Sequence, residues 1–236
     1  PRTPSQMEQR IKLSNLVSVY RANSKWMRDS FENKKDRESD YNAFVSANVD
    51  KNQVALSKSD VAAGAAVVGP YKITSGSLPV IETLLNGVDL VTNIYVGNLV
   101  IGANTTIGDL SQAIIDNNGG IIEGMQLSIV INLQLAAAGS GVPYITTRTY
   151  EMIINPLATE LITDVVPDGI LEVVGTTTKS LGLLTSDLGD GAAAFILSHT
   201  TGGRTRVSTQ SLVFFGSNAI YRQFTSEKAK NGAIAY

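Results

Sequence analysis

A single histidine, His199, and a complete absence of cysteine limit the chemistry open to this chain. A serine–histidine–carboxylate triad needs only one imidazole, so His199 is the residue around which acyl transfer would have to be built. It closes an apolar run, "AAAFILSH", just before Gly202-Gly203, and no G-x-S-x-G elbow occurs anywhere. A strand-end histidine, facing solvent or bonded to a backbone carbonyl, is the expectation. The lack of cysteine removes disulfides, a thiolate nucleophile and cysteine-ligated metals. Neither G-x-x-x-x-G-K-[ST] nor a G-x-G-x-x-G after a strand is present, so no phosphate cradle is written locally. "GSGVPY" and "DLGDGAA" are the nearest glycine-rich stretches. The second carries Asp187 and Asp190 but lacks the regular Asx spacing and closing Glu of a calcium loop, and reads as a plain turn. Remote carboxylates could pair as in a glycosidase, yet nothing marks which. Aromatic residues are only 6% of the chain, too few for an evident stacking platform. The expectation is a protein that is not an enzyme, with no cofactor and no metal site.

The elements that would position any site fall into two regions. Ser5 after Pro4, with Glu8 three residues on, predicts a capped helix start. Met7, Ile11, Leu13, Leu16, Val17, Tyr20, Met27 and Phe31 recur at three- and four-residue steps, which predicts one helix over 5–32, bent near Asn23-Ser24. Ser39 or Asp40 then caps a second, shorter helix to about Ala47. From Gln53 the period changes to short β-branched runs punctuated by Gly and Pro. "NIYVGNLVIG", "MQLSIVINLQL", "YITTRTYEMII", "ILEVVG" and "KSLGLLT" read as strands. "TTIGDLSQAIIDNNGG" is an internal helix capped by Thr105 or Thr106. "AAAFILSH" and "RTRVSTQSLVFF" form a hairpin over Gly202-Gly203, and a last helix is expected over 217–230.

The fold class is therefore α+β: an N-terminal helical hairpin, then a mostly antiparallel β-sheet or sandwich with one inserted helix and a C-terminal helix. Residues 1–50 form a helical attachment segment and residues 51–236 a β-rich body. No run of about 18 apolar residues occurs, so no membrane partner is expected.

Charge is unevenly placed. Residues 1–40 hold nine Lys/Arg against six Asp/Glu, and the remainder ten against fifteen. The basic head allows a nucleic-acid contact, though +3 is too small to name DNA. The β region is poor in charge and rich in Thr, Ser, Asn and small aliphatics, faces that bury cheaply between copies.

Several stretches resemble a family of uncharacterised proteins from Bacteroidota and their phages, including crAss-like phages. They are "PRTPSQMEQR" with "LVSVYRANSKWM", "TTIGDLSQAII" with "EGMQLSIV", "GVPYITTRTYEM", and "AAAFILSHTTGGRTRVSTQSLV". The PRT-x-x-Q opening and the S-x-x-x-G-x-x-x-x-VSTQ-x-L ending are the more specific parts. The chain departs from the family pattern at "EGMQLS", where Met125 replaces an acidic residue before the Gln. In that family the PRT motif follows a short Gly- and basic-rich segment, which suggests an upstream piece before Pro1. Members in phage genomes look like virion components, so the resemblance implies a non-enzymatic structural role and brings no catalytic residues.

Together these readings predict a structural protein working in many copies. It is expected to be a phage virion component of head, neck or tail, located in the virion after assembly in the bacterial cytoplasm. Its expected partners are itself and other virion proteins. A nucleic-acid-binding accessory protein and a bacterial surface or filament protein are the alternatives. The expected docking face is the stripe of Met7, Ile11, Tyr20, Met27 and Phe31, bordered by Arg10, Arg21, Lys25 and Arg28. On that expectation, glutamates at Tyr20 and Met27 abolish assembly and leave the β body folded.

Overall fold

Helix α1 (Pro4–Asn23) is capped at Thr3, two residues before the expected Ser5. Thr3 Oγ1 accepts from the Gln6 N–H at 3.4 Å, and the Thr3 N–H donates to Gln6 Oε1 at 3.3 Å, a reciprocal capping box. Pro4 takes the first helical position, where its missing N–H is an orphan in any case. The helix ends at Asn23 and does not bend through to residue 32. Asn23 Nδ2 donates to the Val19 carbonyl, and both Ser24 N and Oγ donate to the Arg21 carbonyl. These side chains satisfy the last carbonyls locally and so terminate the helix. Helix α2 (Asp40–Asn48) is capped by Ser39, whose hydroxyl accepts from the Asn42 N–H.

The computed structural model describes residues 3–51, 54, 56 and 58–216. The helix expected over 217–230 lies outside them. Besides α1 and α2 the described residues contain α3 (Lys58–Ala62), α4 (Ile107–Asn117) and α5 (Ile162–Val165). Only α4 answers the inserted helix, capped by Thr106 with Asp109 closing the box. Hydrogen bonds from Thr106 hold the Asp109 carboxyl below its usual range.

Eleven antiparallel strands follow: β1 (Lys72–Thr74), β2 (Thr83–Asn86), β3 (Asp89–Tyr95), β4 (Gln126–Ala136), β5 (Pro143–Ile153), β6 (Leu171–Val174), β7 (Ser180–Leu184), β8 (Gly191–Thr201), β9 (Arg204–Val207), β10 (Gln210–Ser211) and β11 (Val213–Phe215). The α+β class is thus observed. A main sheet runs β11-β8-β4-β5, with β9 also on β8; a second runs β2-β3-β7-β6; β1 and β10 pair separately. β3 stops at Tyr95, shorter than "NIYVGNLVIG" predicts, because Gly97 turns the chain with φ +58°. Gly202 and Gly203, both at positive φ, make the two-residue turn between β8 and β9 as expected.

The main sheet is buried on both faces. Leu127, Ile129, Ile131 and Leu133 of β4, with Phe195 and Leu197 of β8, join Leu90, Ile94, Leu181 and Leu183 of the second sheet and Ile107, Leu110 and Ile114 of α4 in one core. On the opposite face Val130, Ala192, Ala194 and Ile196 pack against Leu16, Val19 and Phe44 of the helical hairpin. The body is therefore a sandwich on one side and a helix-backed sheet on the other.

Three buried amides bind the hairpin and sheet to β1 and the extended segment before it. Asn15 donates to the Val67 carbonyl at 3.0 Å and accepts from its N–H at 2.7 Å. Asn48 does the same for Lys72, donating at 2.8 Å and accepting at 2.7 Å. Gln134 accepts from Val68 N–H at 2.8 Å and donates to the Ala66 carbonyl at 3.1 Å. Backbone groups that would otherwise be buried without partners are met by side chains acting as a strand. Asn15 also donates to the Tyr71 hydroxyl; burial drives that phenol's pKa up, opposed by the Asn15 bond.

Candidate assembly surface

The residues expected to dock are placed as follows. Met7 lies on α1. Ile11 is buried with Val54, Leu56, Ala65 and Val67. Met27 and Phe31 lie in the segment between α1 and α2 and are buried, at 0% and 5% exposure, in the cluster on the helix side of the main sheet. Phe31 is further held by a bridge to Ser75, with Glu32 N–H donating to the Ser75 carbonyl and Ser75 N–H to the Ser30 carbonyl. Tyr20 is half-buried, edge-on to Tyr41 at 5.2 Å and tilted over Phe44 at 5.8 Å. Burial, then the Asp40 charge, raises its pKa, and Lys34 opposes this. Ile11, Met27 and Phe31 of the stripe are thus spent on the chain's own core, with Tyr20 half-buried beside them, and are not free to dock. A β body exposing the outer face of β4 and β8 would leave apolar surface in water, and the hairpin removes it.

The polar border behaves differently. Arg10, Arg21, Lys25 and Arg28 are all exposed. Lys25 lines a cavity of about 350 Å³ with Ala22, Trp26, Thr147, Thr149 and Glu151. Arg28 lines a neighbouring cavity of about 130 Å³ that shares Trp26 and Glu151 and runs over Gln126, Ser128, Ser198 and Thr205. The two make a groove roofed by residues 22–30 and floored by β5, β4, β8 and β9. Trp26 is fixed at its centre, its Nε1–H donating to Asn23 Oδ1 at 3.1 Å. Thr147 Oγ1 lies 2.8 Å from Asn132 Oδ1 and 3.3 Å from Asn23 Oδ1, tying the end of α1 to the sheet.

Glu32 anchors the far end of the roof. Burial pushes its carboxyl up, but donors outweigh it: the Ser77 backbone and hydroxyl, then the Val207 N–H, leave the pKa below normal. His199 is half-buried, its Nε2 3.3 Å from Thr201 Oγ1, a strand-end position whose partner is a hydroxyl in place of the expected carbonyl. Among the described residues no group of three or more His, Asp or Glu could hold a metal ion.

One wall of the groove is also the edge of the main sheet. β5 pairs with β4 along its whole length without a bulge, and no strand lies on its other side among the described residues. The direction of its backbone follows from two bonds. Ile154 N–H donates towards β4, to the Met125 carbonyl, while the Pro143 carbonyl points away and accepts from Ala66 N–H. Alternation then turns the N–H and C=O of Ile145, Thr147, Thr149, Glu151 and Ile153 outward. The side chains of Thr147, Thr149 and Glu151 are the ones that line the groove. The sequence carried β5 as a strand but not its edge position, because "YITTRTYEMII" alternates polar and apolar residues on both faces.

A second exposed apolar feature sits on the β2–β3 hairpin, where Leu84, Leu85 and Val88 are 71%, 45% and 56% exposed. No helix of the described residues is long and apolar enough to cross a membrane. No family model, curated protein or solved structure matches the chain.

Proposed function

We propose that the protein is a non-enzymatic structural subunit that assembles in many copies, and that it serves as a phage virion component. The observation that carries the assembly reading is the open edge of β5, eleven residues long and paired on one side only among the described residues. An edge of that length presents a row of unmet backbone donors and acceptors, a template for another strand. The groove beside it adds Lys25, Trp26 and Glu151 to what a docked strand would meet. The virion assignment, in head, neck or tail and assembled in the bacterial cytoplasm, rests on the resemblance of the PRT-x-x-Q and VSTQ stretches. Other virion proteins are the remaining partners in this reading.

The test is the mass of the purified chain by light scattering, with negative-stain images of the same sample. Closed rings, tubes or other multiples of 25.1 kDa are expected. A particle of one chain at every concentration would remove the reading of self-assembly.

A further inference from the structure

The outward residues of β5 form a set that is complementary to itself. Two copies of an antiparallel edge can pair only with outward residues facing outward residues, which leaves a few two-fold registers. An axis at Arg148 sets two guanidinium groups opposite each other, and an axis at Glu151 sets two carboxylates opposite each other. Both place like charges in direct cross-strand contact, which destabilises the pair. An axis at Thr147 sets Glu151 against Pro143, whose nitrogen has no hydrogen and whose carbonyl is already taken by Ala66. An axis at Tyr150 leaves Ile145 beyond the end of the strand. An axis at Thr149 uses every outward residue from Ile145 to Ile153. It sets Ile145 against Ile153, Thr147 against Glu151, and Thr149 against Thr149.

We infer that a second copy of this chain adds its β5 antiparallel to this edge, with the two Thr149 residues facing each other across a two-fold axis. This deepens the assembly reading and rests on it. The pairing supplies about ten main-chain hydrogen bonds, two for each facing outward pair. Directly paired residues share a face, so Glu151 of the second copy lies opposite Thr147 on the groove side, where Lys25 lines the same cavity as Thr147. On the other face Arg148 lies opposite Tyr150 of the second copy. Ile153, 60% exposed in one copy, is covered by Ile145 of the other. The two sheets become one across the axis, and the hairpins flank the seam.

The absence of cysteine makes the test clean, since each introduced thiol is the only one in its chain. Facing Cα atoms in such a pair lie about 5.5 Å apart, within disulfide reach. Thr149→Cys is expected to give a disulfide-linked dimer under mild oxidation at least tenfold faster than Thr147→Cys. A mixture of Thr147→Cys and Glu151→Cys is expected to link to each other. Thr149→Pro removes an outward N–H that the intramolecular ladder does not use, and Thr149→Lys puts two ammonium groups on the axis. Either variant is expected to halve the particle mass or reduce it further while circular dichroism stays that of the parent. If Thr149→Cys links no faster than Thr147→Cys, or Thr149→Lys leaves the mass unchanged, the pairing is overturned. An oligomer in the parent alongside those results would leave the assembly reading standing and remove this register. A parent that is monomeric at every concentration would remove both.

Discussion

Replacing Asn15 with leucine probes the amide contacts that hold the hairpin to the segment before β1. Asn15 is fully buried, and Val67 is 3% exposed. The side chain meets both the N–H and the carbonyl of Val67, at 2.7 and 3.0 Å. Leucine has the same number of side-chain heavy atoms and the same branching with somewhat greater volume, so no cavity is created, but both backbone groups lose their partner inside the core. Each buried group left unmet costs about 1–3 kcal/mol. The two groups together cost about 2–6 kcal/mol and leucine's added apolar burial returns about 1–2 kcal/mol, leaving a mid-range net loss of about 2–3 kcal/mol from a total of about 5–15. With a urea slope of roughly 2–3 kcal/mol per molar, the midpoint falls by about 1 M. Trp26, the only tryptophan, reports the transition from inside the affected region. Leu13→Ala, at a position 44% exposed on the same helix, is the control and is expected to move the midpoint little. A shift of under about 0.3 M for Asn15→Leu with an unchanged slope would refute the reasoning that this amide substitutes for a strand partner.

Met27→Glu places an unpaired carboxylate at a fully buried position. It is expected to cost several kcal/mol and to remove cooperative unfolding of the whole chain, read by near-UV circular dichroism, not merely to block assembly. Gly108→Ala ought to strengthen helix α4 by propensity, by up to about 1 kcal/mol. Instead its Cβ would lie 2.4 Å from the Ala158 carbonyl oxygen and 2.8 Å from that of Pro156. A net loss of about 1–3 kcal/mol, a fall of roughly 3–9 °C in Tm, is expected in a thermal melt. Glu172 on β6 has its pKa raised to about 7 by burial, then by the hydrogen bond and charge of Asp89. The folded chain therefore keeps a proton that the unfolded chain releases near 4.5. The stability this proton supplies is complete below about pH 4.5 and is lost as pH rises through about 7. Glu172→Gln keeps a neutral donor at every pH, so its advantage over the parent is expected to grow from nothing at pH 4.5 to on the order of 1 kcal/mol at about pH 8, after allowing for solvent screening. Urea titrations at both pH values check it, and a parallel pH dependence in the two chains would contradict the raised Glu172 pKa.

Local signals in the chain were enough for its elements. The Thr106 cap, the Gly202-Gly203 turn and the β-branched runs each act over a few residues, and each appears at its pattern, with β3 cut short at Tyr95. The end of α1 at Asn23 was visible as Asn23-Ser24 but read as a bend. Both outcomes use the same side-chain bonds to carbonyls, and only the packing of Met27 and Phe31, in the segment after α1, against the sheet decides between them. The same ambiguity misassigned the stripe: periodicity says that a face is apolar, not whether the chain or another molecule covers it. Here the outer face of β4 and β8 packs with Met27 and Phe31, and a separate cluster with Val54 and Val67 takes in Ile11.

What the amino acids determined by themselves is the α+β class, the antiparallel character and the lack of thiol chemistry. These follow from composition and from patterns confined to single elements. What only the tertiary structure decided is which strand is an edge and which polar residues meet. Thr147, Thr149 and Glu151 join Lys25 and Trp26 across more than a hundred residues of chain because β5 lies outermost beside the end of α1. Strand order depends on the summed burial of both sheet faces, a property of the whole molecule that no short window of sequence contains.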